Sequence, residues 1–252
     1  TTSFRPGTRF APHRLREVSD GIEEYSIYLG KSLEDIYFCD AGDVILPLGN
    51  ITRSLNRIEK AAEFLLGQNK EIYAIGGEHL VSLPLIKAYK AFYDDLVVIQ
   101  IDAHADLRIE YLGEVVSHAA VMRQVAKEIG AKNLFQLGIR SATAGEIDFG
   151  HKETNLYIDK LLTVLAEVKC LVGKRPVYLS LDIDVIDPAF APGTGTPEPG
   201  GIASREIFAA LYELRDLNII GFDLVEISPP NDCGDITSIL GAKILREALL
   251  GF

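Results

Sequence analysis

The chain has 252 residues, 48% hydrophobic and 24% charged, the balance of a globular protein with a sizeable core, and no linker-like stretch divides it, so 1–252 is read as one domain. A formal net charge of −11 disfavours nucleic acid and anionic membrane as partners and suits a small cationic one. No apolar run approaches the roughly 18 residues of a membrane span, and no leader pattern opens the chain, so a cytoplasmic protein is expected. The polar opening "TTSFRPGTRFAP", without a methionine, reads like the interior of something longer, and an N-terminal segment is expected to be missing. Cys39, Cys170 and Cys233 are odd in number and form no CxxC pair; they are read as small buried apolar residues rather than as a disulfide or zinc framework.

Short apolar runs alternate with helical spacing along the chain. Strands are predicted at Asp43–Leu48, Glu71–Ile75, Leu96–Ile101, Leu134–Ile139, Val177–Ile183 and Ile219–Val225. Between and after them, apolar residues three and four apart predict helices near Arg53–Leu66, Leu83–Phe92, Ala119–Ile129, Leu156–Val172, Arg205–Leu214 and Ile236–Leu249, with Ser204 and Asp235 as N-caps of the last two. Strands that are apolar on both faces and separated by helices indicate a parallel sheet covered on both sides. Ligands of such sheets gather beyond the carboxyl ends of the strands.

Those ends carry the chemistry. "VVIQIDAHAD" runs from an apolar strand into Asp102, His104 and Asp106, which fall on one side if extended geometry persists past Ile101. "VYLSLDIDVIDP" brings Asp182 and Asp184 to the end of another strand in the same way, and the Gly-Gly turn of "EIYAIGGEH" adds His79 from a third. Four carboxylates cannot all stay ionised at close range in a low-dielectric site unless cations compensate them. With two imidazoles the donor set favours a first-row ion, manganese best, and six ligands exceed what one ion needs, so two ions about 3.5–4 Å apart are expected.

"GGEH", "DAHAD", "SLDIDVIDPAFAPGTGTPEPGG" and "DLVEISPP" resemble, in this order, the signature segments of the ureohydrolases, the arginase and agmatinase family, and the likeness runs over nearly the whole chain. Glu78 departs from the more usual Asp of "GGDH", beside a ligand position rather than at one. The resemblance implies an α/β/α fold with a parallel sheet of about eight strands, a binuclear manganese site, and a homo-oligomer, trimer or hexamer. Carried over by position, one ion would take His79, Asp102, Asp106 and Asp182, and the other Asp102, His104, Asp182 and Asp184. A hydroxide between the metals would then attack a guanidinium carbon, releasing urea and an amine. Glu226 matches the family carboxylate that pairs with the substrate guanidinium, and His118 the histidine that passes a proton to the leaving amine; Asp106 is a second candidate proton relay. Asp187 and the glycines of "PGTGTPEPGG" are read as structural, and His13 and His151 as surface residues.

The segment "LRIEYLGEVVSHAAVMRQ" resembles agmatinase-like members and lacks the Asn- and Ser/Thr-rich stretch with which arginases hold an α-amino acid. Agmatine, cleaved to putrescine and urea as in polyamine biosynthesis, is the expected substrate. Glu110, Tyr111 and Glu114 are placed near its ammonium, and Arg108 is the residue that would instead suit a carboxylate. The alternatives are aminopropylagmatine, guanidinobutyrate or arginine as substrate, a metal-dependent deacetylase or amidase, and a catalytically silent relative.

Overall fold

In the computed structural model, which describes residues 2–252, six strands form one all-parallel sheet: β1 (Ile72–Ile75), β2 (Val97–Ile101), β3 (Leu134–Ile139), β4 (Asn155–Ile158), β5 (Pro176–Asp182) and β6 (Asn218–Val225). Their order across the sheet is β1-β6-β5-β2-β3-β4. Along β2, Val97, Ile99 and Ile101 enter one core and Val98 the other, so the two-residue period of the strand feeds both faces. Helices α1 (Ala11–Ser19), α6 (Leu165–Val172), α7 (Ser204–Leu214) and α8 (Ile236–Gly251) close the first core. Helices α2 (Ile51–Gly67), α3 (Ser82–Phe92) and α4 (Val121–Ile129) close the second. Each fully buried Val, Leu or Ile contributes about 1.5–3 kcal/mol, which is what drives a sheet with no polar face into the middle of three layers. Among the described residues no helix is long and apolar enough to cross a membrane.

The sheet has six strands where about eight were expected. The predicted strand Asp43–Leu48 is not one: it has no regular structure, and Val44, Ile45, Leu46 and Leu48 are exposed. A strand needs a partner for its backbone, and β-propensity alone supplies none. The helix expected over Leu156–Val172 divides, because Leu156–Ile158 belongs to edge strand β4, Asp159 turns left-handed at φ 50°, and α6 starts only at Leu165. Helices α1 and α5 (Ala144–Glu153) went unpredicted, although "TAGE" is a capping box: Thr143 and Glu146 each accept the other's backbone N–H. Ser204 is the first residue of α7, whose cap position is Ala203. Asp235 sits at the cap of α8 but turns its carboxylate to Arg14, and Asp232 accepts the N–H groups of Thr237 and Ser238 instead. All three cysteines are exposed, not buried; in a chain with ample Leu, Ile and Val the core does not need them. His13 and His151 lie on the surface, and Asp187 accepts three loop N–H groups, from Ala189, Gly200 and Gly201.

The loop after β1 is tied directly to the neighbouring strand. Gly76 donates its N–H to Leu224 O (2.8 Å), and Glu226 donates to Gly77 O (3.0 Å), so "GGEH" is stitched to the end of β6. A Cβ on Gly76 would stand 2.7 Å from Val225 Cγ1 and 3.0 Å from Val81 Cγ2, an approach only glycine permits. Gly76→Ala is expected to destabilise the protein by about 1–3 kcal/mol, the usual range for overpacking. Urea unfolding that leaves the midpoint unmoved would show that the loop tolerates the methyl.

Candidate active site at the carboxyl ends of the strands

Every predicted ligand lies at or beyond the carboxyl end of β1, β2 or β5, Asp182 being the last residue of β5, and Glu226 follows β6. The convergence does not come from strand geometry persisting past Ile101, as expected, since β2 ends there and Asp106 is left-handed at φ 53°. A turn gathers the residues instead. His104 N–H donates to Asp102 Oδ1 (2.6 Å), Ala103 N–H to Asp184 Oδ1 (3.1 Å), and His104 Nδ1 lies 2.9 Å from Asp184 Oδ2. After β5, Asp184 N–H donates to Asp182 Oδ1 (2.9 Å). Two three-residue groups result, His79 with Asp102 and Asp182, and Asp102 with His104 and Asp184; Asp102 belongs to both. Asp106 joins the first through its Oδ2, 3.2 Å from His79 Nδ1.

His79 tests whether this set suits a cation. Its Nε2 is 3.0 Å from Ser180 Oγ, and the one Ser180 proton is committed to Asp223 Oδ1 (2.7 Å), so the serine accepts and His79 carries its proton on Nε2. That leaves the Nδ1 lone pair facing Asp102, Asp106 and Asp182 oxygens at 3.0, 3.2 and 3.4 Å, buried and with no hydrogen-bond partner. A lone pair turned on three carboxylates is unfavourable without a positive ion between them, and favourable with one. The carboxyls say the same: burial, then the charge of Asp184, raises Asp102, and burial, then the charges of Asp184 and Asp102, pushes Asp182 well above the carboxylate range.

Glu226, left-handed at φ 64°, accepts His79 N–H at Oε1 (2.9 Å) and lines the same cavity of about 270 Å³. Burial, reinforced by the charge of Glu78, pushes its carboxyl up to about 8. His118 borders the cavity, edge-on to the Tyr111 ring (centroids 5.4 Å) and 3.1 Å from Ser3 Oγ. Arg108 and Tyr111 also line it. Glu110 and Glu114, expected beside the substrate tail, are exposed and outside it, because Tyr111 and Glu114 pair in a tight turn that points the loop to solvent.

Sequence reasoning missed the layer beneath. Asp223, Ser180, Gln100 and Gln136 form one register row across β6, β5, β2 and β3, and all four are fully buried. Gln100 Nε2 donates to Asp102 Oδ2 (2.6 Å) and His104 O (3.1 Å). Gln136 Nε2 donates to Gln100 Oε1 (2.6 Å) and Ala105 O (2.7 Å), and Thr154 Oγ1 donates to Gln136 Oε1 (3.1 Å). Both protons of each amide are used, which fixes their orientation and pins the "DAHAD" turn. The signal was present: one polar residue interrupts each apolar run, as in "VVIQI" and "LFQLGI".

The chain matches the Arginase family over residues 1–251. It is 48% identical to a protein named agmatinase from Bacillus subtilis (strain 168) over 256 residues, covering 100% of this chain and 88% of the relative. It is 35% identical to a guanidinobutyrase from Pseudomonas aeruginosa, covering 98% and 82%. Among solved structures it is similar to proclavaminate amidino hydrolase from Streptomyces clavuligerus, with a TM-score of 0.90, 34% identity, and coverage of 99% of this chain and 87% of that one.

Gln100→Leu removes both donors from Asp102 and His104 O while keeping similar bulk. Divalent-ion affinity, read by titration of the chelator-treated protein, is expected to fall roughly 10–100-fold, the usual effect of losing a group that orients a ligand. Unchanged affinity would mean that the turn holds itself.

Proposed function

The chain belongs to the arginase family, and from that premise we propose that it is a binuclear manganese hydrolase converting agmatine to putrescine and urea, a step of polyamine biosynthesis. The observation that carries the reading is the pair of carboxylate–imidazole groups sharing Asp102, with Glu226 in the same cavity. His79, Asp102, Asp106 and Asp182 would hold one ion, and Asp102, His104, Asp182 and Asp184 the other. When bound, such ions lower the pKa of water far enough to supply hydroxide near neutral pH.

The chain's own residues do the rest. Glu226 offers a carboxylate to the planar guanidinium, a pairing that is naturally bidentate, and the arriving cation restores the ionised form that burial opposes. His118, an imidazole at the border of the cavity, delivers a proton to the departing amine. Asp106, beside the reacting centre, is positioned to relay one. A cytoplasmic trimer or hexamer completes the reading, and light scattering tests the assembly.

The deciding experiment is urea release, under manganese saturation, from agmatine, arginine, guanidinobutyrate and aminopropylagmatine. Agmatine is expected to have the highest kcat/KM, and Glu226→Gln to lower turnover of every guanidine alike. A better rate with arginine would make the chain an arginase, and a wild-type protein that releases urea from none of the four would remove the ureohydrolase reading.

A further inference from the structure

Two carboxylates lining the cavity, Glu146 and Glu198, are used by neither the metal groups nor the guanidinium position, and Glu146 is already held by donors of its own loop. We propose that Glu198 receives the cationic tail of the substrate and so sets the choice between guanidines, an inference that rests on the ureohydrolase reading. Glu198 lies in the loop after Gly195, is half-buried, and lines the same cavity as Glu226.

Its place is fixed. Arg140 donates from Nη2 to Glu198 O (2.6 Å) and to Asp184 O (2.7 Å), and from Nη1 to Val185 O (3.0 Å), which staples the loop to the turn carrying Asp182 and Asp184. The same loop passes Glu226 at Gly195, where a Cβ would stand 3.5 Å from Glu226 Oε2. Three residues later comes Glu198, at most about 10 Å along the backbone and within the span of a flexible aliphatic spacer. Among the described residues, no donor lies within hydrogen-bond distance of the Glu198 carboxylate, and no cation pairs with it.

The charges lining the cavity lead to the same residue. The aspartates of the metal groups would be matched by two divalent ions, and Glu226 by the guanidinium. Arg108 has an acid of its own nearby: its Nε is 3.8 Å from Glu146 Oε2, and its guanidinium stacks 4.8 Å from the Tyr111 ring centre. Glu146 is itself held by the N–H groups of Leu107 (2.9 Å) and Thr143 (2.8 Å) and by the Thr143 hydroxyl (2.8 Å), so its carboxylate already has donors. Glu198 remains as the uncompensated charge, and an ammonium at the far end of the substrate satisfies it. A carboxylate tail there would meet a like charge and lose hydration without a donor.

The test compares agmatine with n-butylguanidine, which has the same spacer without the ammonium, in the manganese-loaded wild type, Glu198→Gln and the charge-retaining Glu198→Asp. The wild type should prefer agmatine. In Glu198→Gln the agmatine-to-butylguanidine ratio of kcat/KM is expected to fall roughly 10–100-fold, through KM for agmatine, as for loss of one charge-assisted contact. Glu198→Asp should recover part of the ratio, and guanidinobutyrate should become a relatively better substrate of the Gln variant. Equal loss on both substrates, or an unchanged ratio, overturns the assignment while leaving the ureohydrolase reading intact. A wild type that cleaves butylguanidine as well as agmatine does the same, and one that cleaves no guanidine overturns both.

Discussion

Four buried carboxylates and two imidazoles at one edge of a sheet form an arrangement that is unfavourable on its own and that only cations reconcile. Most of the local architecture around that edge serves to hold those groups together before any ion arrives. Backbone N–H groups of Ala103, His104 and Asp184 are aimed at aspartate oxygens, so part of the charge is already solvated by fixed dipoles. Left-handed turns at Asp106 and Glu226, costly for residues with a side chain, are retained where the site needs them.

Support from below contains no cation. Arginine or lysine in the row Asp223, Ser180, Gln100 and Gln136 would compete with a metal for the same oxygens. Amides and hydroxyls orient them without cancelling their charge. The Ser180 contact also fixes the proton on His79 Nε2 and turns Nδ1 toward the cluster. Burying such a row is tolerable because each donor has an acceptor; a single unmatched amide there would cost about 1–3 kcal/mol.

The cavity above repeats this economy of charge. Arg108 looks from the sequence like a ready receptor for a carboxylate, yet it already has Glu146 nearby and the Tyr111 ring against it. On the proposed reading, selectivity for the substrate tail depends on which acid lacks a partner, a property of the whole lining rather than of any one segment. Relatives named agmatinase and guanidinobutyrase share the family, which fits a reaction centre kept constant while a loop chooses the tail.

The sequence by itself determined the parallel α/β class, because runs such as "VVIQI" and "VYLSLD" have no polar face and must be covered on both sides. It also determined the six metal-cluster candidates, because acids and histidines directly after such runs have few places to go but the strand ends. Tertiary structure decided the rest. Asp43–Leu48 has strand composition but no neighbour, and pairing is a property of two segments, not one. Leu156–Val172 has helical spacing, but an open sheet edge beside β3 took its first residues. Glu110 and Glu114 are close in sequence to the site and point away from it, whereas Glu198 is distant in sequence from Arg108 and shares its cavity. Hydrophobic periodicity records what each segment must bury, and it carries no information about which charges meet once the segments are assembled.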